Sequence, residues 1–189
     1  MVKRLAIFAS GSGTNAENII RHFQSNKKAI VEIVLCNNPA AGVIQRAEKL
    51  QIPYLLFNRH DFYESDKIES LLKEFNIDLI VLAGFLWLLP EKFIKAFPNK
   101  IINIHPALLP KYGGKGFYGA KVHEAVIKER DNKSGITIHY VNELFDNGEI
   151  IAQFTGEVNE NETTESLAAK IHQLEYEHYP KVVEQLLEK

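Results

Sequence analysis

An asparagine and a histidine lie two residues apart where an apolar segment meets a proline. Asn103 and His105 are separated by Ile104, and Pro106 follows directly. Side chains of equal parity point to the same side of an extended chain, so the amide and the imidazole would be presented together. The strand must end at Pro106, which has no N–H to donate. Histidine is the usual acid–base group near neutral pH, but a histidine that only bonds a backbone carbonyl is an equally open interpretation.

A second segment near the N-terminus has the composition of an anion-binding turn. The sequence Ser-Gly-Ser-Gly-Thr-Asn at 10–15 separates a strand-like run at 5–9 from a predicted helix over 16–23. Small residues let the backbone approach a ligand, and free N–H groups at a helix start favour an anion. Gly11, Gly13 and Ala16 satisfy the dinucleotide pattern G-x-G-x-x-A. However, the second strand ends without the required acidic residue, and the Walker Lys-Ser/Thr pair is missing. A monophosphate site or a simple tight turn remains.

Two further connections could contact a ligand. Residues 84–89 read Gly-Phe-Leu-Trp-Leu-Leu, which is unusually apolar for a connection. They favour either the wall of a pocket for a flat aromatic ligand or a core segment or subunit contact. Residues 111–119 contain four glycines together with Lys111 and Lys115. This composition suits a mobile loop that closes over an anionic ligand, and it equally suits a solvated flexible loop.

The remaining elements alternate between strand and helix along the chain. We predict further strands at 30–35, 52–57, 78–83, 135–141 and 149–154, and helices at 41–50, 91–97, 120–129 and 163–187. One more helix is expected from a cap at Asp61 to about residue 75, and Thr163 or Thr164 should cap the last helix, which Pro180 should kink. His123 is expected to be structural or on the surface. The alternation predicts an α/β fold with a doubly wound parallel sheet.

The bulk composition is that of an ordinary globular protein. The chain has 189 residues, 46% of them hydrophobic, and a formal net charge of -2. This charge gives no general attraction to nucleic acid or anionic lipid, and no apolar run is long enough for a signal or a membrane span. Cys36 is the only cysteine, which excludes an intramolecular disulfide and a cysteine-based metal cluster. We predict one domain over residues 1–189 in a cytoplasmic protein without nucleic-acid or membrane partners.

Four motifs in order along the chain carry a resemblance to one family. They are Gly11-x-Gly13-Thr14-Asn15, Leu82-Ala83-Gly84-Phe85, Asn103-Ile104-His105-Pro106-x-Leu108-Leu109-Pro110 and Leu144-x-Asp146-x-Gly148. Over essentially its whole length the chain resembles the phosphoribosylglycinamide formyltransferases, the folate-dependent enzymes of purine synthesis. The resemblance implies the formyltransferase fold, a Rossmann-like doubly wound, mostly parallel sheet with an antiparallel C-terminal portion.

The resemblance also implies a reaction and a set of catalytic residues. The expected activity transfers the formyl group of 10-formyltetrahydrofolate to the amino group of N1-(5-phospho-D-ribosyl)glycinamide. Asn103 would donate to the developing oxyanion and His105 would act as the acid. Asp146 would orient the imidazole and favour its charged form. 10-Formyltetrahydrofolate is then the co-substrate, no metal is required, and the enzyme is a monomer or a homodimer.

Two binding regions follow from the same resemblance. Gly13, Thr14 and Asn15 match the segment that holds the substrate phosphate, and Glu175 matches a glutamate that contacts the ribonucleotide. The folate-binding set implied is Arg59 or His60, Leu86, Trp87, Leu88, Leu89, Asn103, Asn142, Glu143 and Asp146. The chain departs from many relatives at Trp87, where some carry Arg, and at Gly113-Gly114, where many carry Pro-Gly.

Other functions remain open on the sequence. One alternative is another folate-dependent formyltransferase, or a formyl-folate hydrolase, of the same superfamily. A second alternative is a non-catalytic nucleotide-binding module that uses only the glycine-rich turn. That module predicts that His105 and Asp146 lie far apart.

Overall fold

The computed structural model describes residues 2–188 and contains one seven-stranded sheet. Its strand order is β3-β2-β1-β4-β5-β6-β7. The strands are β1 (Lys3–Ala9), β2 (Ala29–Cys36), β3 (Tyr54–Leu56), β4 (Leu79–Leu82), β5 (Ile101–His105), β6 (Lys133–Tyr140) and β7 (Ile150–Glu157). Neighbours among β1 to β5 pair in parallel, whereas β6 and β7 are antiparallel. The expected mostly parallel sheet with an antiparallel C-terminal portion is confirmed.

Six α-helices cover the two faces of this sheet. They are α1 (Thr14–Asn26), α2 (Gly42–Lys49), α3 (Lys67–Glu74), α4 (Glu91–Ala96), α5 (Ala120–Lys128) and α6 (Thr164–Leu187). The side chains of α1, α2, α5 and α6 share one apolar cluster, and those of α3 and α4 share the other. Phe8 on β1 lies at the centre of the second cluster, with its ring centroid 5.3 Å from that of Phe85 and 5.9 Å from that of Phe93. No helix within residues 2–188 is long and apolar enough to cross a membrane.

The prediction of one helix from Asp61 to about residue 75 is wrong. A π-helical turn (His60–Glu64) comes first, Ser65 then takes an extended conformation, and α3 begins only at Lys67. Asp61 does not cap α3, because its Oδ2 accepts the backbone N–H of Asn58 at 3.2 Å. Asp61 therefore closes a local turn with Asn58 instead of starting a long helix, and the expected single helix is divided into the π-helical turn and α3.

The C-terminal helix begins as the sequence predicts and accommodates an internal proline. The side chain of Thr163 accepts the backbone N–H of Ser166, and the two residues form a capping box. Pro180 has no N–H for the carbonyl of Tyr176 four residues earlier. Asn18 on α1 donates its Nδ2 to that carbonyl at 2.7 Å, so a side chain of the neighbouring helix replaces the missing bond. α6 therefore continues through Pro180 to Leu187.

Candidate active site

One cavity of about 570 Å³ lies at the carboxyl ends of β1, β4 and β5. This edge of the sheet is where open α/β proteins bind ligands. The loops after the three strands line the cavity, together with residues from 114–119, the turn after β6 and the middle of α6. The volume is within the usual range for sites that bind small molecules.

Asn103 and His105 enter this cavity from the end of β5. Asn103 stands opposite His139 in the antiparallel ladder with β6, and His105 stands opposite Thr137. The Thr137 hydroxyl donates to the carbonyl of Ala107 at 2.6 Å and accepts the N–H of Leu109 at 3.0 Å. The neighbouring strand thus fixes the path of the chain just beyond Pro106, and with it the orientation of the two side chains.

Asp146 reaches the same point from the turn after β6. Its Oδ2 lies 3.4 Å from Nδ1 of His105 and accepts the N–H of Gly114 at 3.0 Å. Its Oδ1 lies 3.5 Å from Nδ2 of Asn103. Burial opposes ionisation of this carboxyl, but the hydrogen bond and charge of His105, together with the N–H of Gly114, outweigh it and hold the pKa of Asp146 well below its usual range. The side chain is therefore an anion placed against His105.

Both ring nitrogens of His105 face acceptors. Nε2 lies 2.7 Å from the carbonyl oxygen of Tyr112, opposite the contact of Nδ1 with Asp146. The ring is 3% exposed, so few other partners are within reach. In the imidazolium form, which donates from both nitrogens, both hydrogen bonds can be made at once. This geometry suits a histidine that carries a proton.

The side chain of Tyr112 is itself held by a polar cluster beside the start of the 111–119 loop. The phenol of Tyr112 donates to Asp131 at 2.8 Å, and Lys111 contacts the same carboxylate at 2.7 Å. Burial is the main cause that raises the pKa of Tyr112 to about 12, so the phenol stays a donor. The suggestion that Lys111 meets an anionic ligand is wrong, because Asp131 and Glu129 bind its ammonium group. Lys115 does line the cavity.

His139 belongs to the same cluster, although no local pattern in the sequence singles it out. Its Nδ1 lies 2.8 Å from the carbonyl oxygen of Tyr140, so Nδ1 carries a proton. Its Nε2 lies 3.2 Å from Nδ2 of Asn103 and 3.7 Å from Oδ1 of Asp146. In the neutral tautomer, Nε2 accepts a hydrogen bond from the Asn103 amide. His139 thereby orients Asn103 with its nitrogen toward Asp146.

The glycine-rich turn forms the other end of the cavity. The carbonyl of Gly11 accepts the N–H of Val43, and the carbonyl of Ser12 accepts Nε of Arg46 at 2.8 Å. Gly13 adopts a left-handed φ of 76°, and its carbonyl accepts the N–H of Glu17 at 2.9 Å. The first N–H groups of α1 have no carbonyl within the helix to donate to, so they are available to an anion. This is the arrangement that a phosphate site requires.

Glu175, which the resemblance assigns to the ribonucleotide, contacts this turn from α6. It is 5% exposed and accepts Nδ2 of Asn15 at 2.8 Å. Nδ1 of His172 lies 3.0 Å from the same carboxylate oxygen, and this hydrogen bond raises the pKa of His172 against the opposing effect of burial. The alternative that Glu175 lies on a solvated helix face is excluded.

The apolar segment 84–89 is both a core segment and a cavity wall. Phe85 and Leu89 are buried in the phenylalanine-rich cluster, while Leu86 is 54% exposed and lines the cavity with Trp87 and Leu88. Ser10 fixes the segment, since its N–H donates to Gly84 and its hydroxyl accepts the N–H of Leu86 at 3.1 Å. The backbone of this wall is thus tied to β1.

Some residues of the implied folate set do not reach the cavity. Arg59, His60 and Glu143 are exposed and absent from its lining, and the Arg59 guanidinium instead lies 4.9 Å from the ring centroid of Trp87. Asn142 does line it. Sequence reasoning omitted three histidines that also line it, namely His123, His139 and His172. Within residues 2–188, no group of three or more His, Cys, Asp or Glu side chains is arranged to hold a metal ion.

Known proteins share this fold and sequence over nearly the whole chain. The formyl transferase family model matches residues 3–183. The chain is 42% identical over 98% of its length to chloroplastic phosphoribosylglycinamide formyltransferase of Vigna unguiculata, and it covers 61% of that protein. It is 38% identical over 98% of its length to phosphoribosylglycinamide formyltransferase of Bacillus subtilis, of which it covers 95%. The crystal structure of the Bacillus halodurans enzyme of this name superposes with a TM-score of 0.88 at 37% identity, over 99% of this chain and 96% of that one.

These matches confirm the resemblance. The chain spans less than two thirds of the two plant relatives, 61% of the Vigna protein and 64% of the Arabidopsis thaliana protein, but nearly all of the Bacillus subtilis protein. The motifs that the sequence analysis identified lie together around one cavity. The chain therefore belongs to the formyl transferase family and, within it, to the phosphoribosylglycinamide formyltransferases.

Proposed function

We propose that this chain transfers the formyl group of 10-formyltetrahydrofolate to the amino group of N1-(5-phospho-D-ribosyl)glycinamide. One observation carries the proposal: a single cavity has an anion-binding turn at 11–15, a charged polar centre around His105 and an apolar wall at 86–88. A phosphorylated amine and a pterin need these three environments. The names of the relatives support phosphoribosylglycinamide as the acceptor and formyl as the group transferred.

In the proposed reaction the neutral amine attacks the formyl carbon, and negative charge develops on the formyl oxygen. Asn103 has two amide hydrogens: one meets His139, and the second, whose contact with Asp146 is long at 3.5 Å, can turn to this oxygen and stabilise it. When the carbon–nitrogen bond to folate breaks, His105 gives its Nδ1 proton to the leaving nitrogen, because the 3.4 Å contact of Nδ1 with Asp146 is the longer of the two contacts of the ring. The proton that the attacking amine loses restores the imidazolium. Each step conserves charge without a metal or a covalent enzyme intermediate.

Asp146 stabilises the charged form of His105 in this scheme. A carboxylate 3.4 Å from Nδ1 favours the imidazolium by its charge and fixes the ring for proton transfer. The Gly114 N–H holds the carboxylate in turn. Asp146 therefore acts on the reaction through His105, while Asn103 and His105 touch the reacting atoms.

The two substrates would bind at opposite ends of the cavity. The ribonucleotide phosphate lies on the N–H groups of Gly13, Thr14 and Asn15, and Glu175 accepts hydroxyl groups of the sugar. The pterin lies against the backbone of Leu86–Leu89 and the turn at 142–146, with Leu144 and Phe145 adding apolar contacts. We leave Arg59, His60 and Glu143 out of the proposed folate set, because they do not line the cavity.

A formyl-transfer assay tests the proposal directly. The purified chain is incubated with a 10-formylfolate donor, with and without glycinamide ribonucleotide, and deformylated folate is followed spectroscopically. Transfer should require the ribonucleotide and yield its formylated product. Release of formate without the ribonucleotide would instead identify a hydrolase, and no turnover with either would favour a nucleotide-binding module. That module predicted separated His105 and Asp146 side chains, and this prediction is wrong.

A cytoplasmic location, one formyltransferase domain over residues 1–189 and a monomeric or homodimeric state stay predictions. They do not affect the proposed chemistry, because every residue that it uses belongs to one chain. Its partners are the two small-molecule substrates.

A further inference from the structure

His123 lies in the wall of the cavity and has no part in the reaction above. It sits on α5, and its side chain is 3% exposed, so the expectation of a surface residue is wrong. Its Nδ1 is buried and has no hydrogen-bond partner in the part of the chain that the structure describes. A buried polar atom without a partner is costly, and a native protein retains one where it has a use.

The charged neighbours of His123 belong both to the α6 side of the glycine-rich turn and to the polar centre around His105. α5 packs against α6, the helix that carries His172 and Glu175, and the charge of His105 also acts on the ring. Burial lowers the pKa of His123, the two histidines lower it further, and Glu175 opposes them. A neutral imidazole has one donor and one acceptor nitrogen and suits an uncharged polar group. The phosphate, in contrast, has its own site in the glycine-rich turn.

We propose that His123 is a binding residue for the amine substrate and that its Nδ1 hydrogen-bonds an uncharged hydroxyl or amide between the phosphate and the reacting amine. The inference rests on the proposed function, because it takes the ribonucleotide to span from the turn at 11–15 to His105. It adds a specificity contact on α5, an element that the sequence analysis left without a role.

The test compares a binding role with a purely structural one. His123→Leu removes the unpartnered nitrogen but keeps apolar volume, and His123→Asn returns an amide close to the position of Nδ1. Ser134→Ala is the matched control, because the Ser134 hydroxyl is also buried without a partner but does not line the cavity. All three variants are measured for thermal midpoint and for the KM of each substrate.

A binding role predicts that stability and affinity move in opposite directions. His123→Leu should keep or raise the thermal midpoint while the KM for the ribonucleotide rises about tenfold or more, the equivalent of one hydrogen bond lost with its partner group left unpaired. The KM for the folate should stay within about twofold, and His123→Asn should recover part of the lost affinity. Ser134→Ala should leave both KM values unchanged.

The binding of ribose 5-phosphate to the same variants then shows which group of the ribonucleotide His123 contacts. Equal weakening of ribose 5-phosphate and ribonucleotide binding in His123→Leu assigns the contact to a sugar hydroxyl, and weakening of the ribonucleotide alone assigns it to the glycinamide. An unchanged ribonucleotide KM, or equal increases for both substrates with a lower thermal midpoint, would overturn the inference. Failure of the proposed function is recognised separately, because the wild-type chain would then show no ribonucleotide-dependent transfer.

Discussion

Replacement of Asp146 by asparagine should lower turnover sharply while the fold is retained. Asp146 has a left-handed φ of 52°, a conformation that asparagine tolerates better than most residues. The new side chain has nearly the same shape, and its carbonyl oxygen can still accept the N–H of Gly114. What is lost is the negative charge 3.4 Å from Nδ1 of His105. The variant therefore tests the electrostatic role of the carboxylate rather than its packing.

The expected loss of rate follows from the hydrogen bond that the charge strengthens. A hydrogen bond to a charged group contributes about 1.5–3 kcal/mol, against about 1 kcal/mol for a neutral one. If the imidazolium depends on this bond in the transition state, loss of the charge costs the difference of about 0.5–2 kcal/mol, and kcat should fall by about 2-fold to about 30-fold, since 1.36 kcal/mol corresponds to about tenfold in rate. KM for either substrate should change little, because Asp146 acts through His105.

The measurement is a kcat–pH profile of wild type and Asp146→Asn in the formyl-transfer assay. Asp78→Asn is the matched control: Asp78 also accepts a backbone N–H, that of Arg4 at 2.9 Å, but it lies just before β4, at the opposite edge of the sheet from the cavity. Wild-type turnover in Asp146→Asn across the pH range would remove Asp146 from the mechanism. A comparable loss in Asp78→Asn would show that the assay reports stability instead.

Asp146→Asn also tests a predicted pH dependence of the free energy of unfolding. Folding lowers the pKa of Asp146 below its ordinary value of 3.8. The ionised carboxylate therefore stabilises the fold at pH values above the unfolded-state pKa, and this contribution is lost progressively as the pH falls below the unfolded-state pKa. Asp146→Asn lacks the contribution at every pH. The difference in free energy of unfolding between wild type and variant, measured with urea, should therefore be largest near pH 7 and shrink toward about pH 3. A constant difference would contradict the assigned shift.

Three further predictions concern the phosphate turn and α6. Gly13→Ala should reduce the yield of folded protein, because φ is 76° and the added Cβ would lie 2.5 Å from the buried Val43. In Gly11→Ala the added Cβ meets nothing within 4 Å, so this variant should stay folded with a raised ribonucleotide KM. Unfolding of both variants would contradict this prediction. Glu175→Gln should lower the pKa of His172 toward 6.5 in an NMR titration, since the carboxylate raises it; an unchanged titration would refute the pairing. Asn18→Ala should cost about 1 kcal/mol of unfolding free energy without a kinetic effect, because it removes the bond to the α6 carbonyl that the proline leaves free.

Much of the fold could be predicted from the sequence because its signals are local. Continuous apolar runs mark the central parallel strands β1, β4 and β5, which are largely buried on both faces, and the glycine-rich turn marks the start of α1. The capping box at Thr163 is equally local. The prediction failed around Asp61, where a polar residue before an apolar pattern looked like a helix cap. The reciprocal bonds between Asn58 and Asp61 compete with that cap, and composition alone does not rank the two.

The polar centre could be predicted only in part. Asn103 and His105 share a strand, and their common side follows from parity alone. Asp146 was assigned from the family motif, because no local pattern relates a residue in one turn to a histidine 41 positions earlier. Glu175 is further along the chain still, on a helix whose rotation about its axis the sequence does not specify. Exposure of Arg59, His60 and Glu143 depends in the same way on the course of loops that have no periodic signal.

His139 shows what kind of information is missing. In the alternation over 135–141 it was one of several side chains on one face of a strand, with Thr137 as its neighbour two residues before. Its meaning depends on register, because only the pairing of β5 with β6 places it opposite Asn103. A shift of one residue would turn His139 to the other face of the sheet and take away the partner that orients the Asn103 amide. The antiparallel strand β6 thus completes the polar centre of the site. The register of β6 against β5, which Thr137 helps to fix, determines the site as much as the charged groups do.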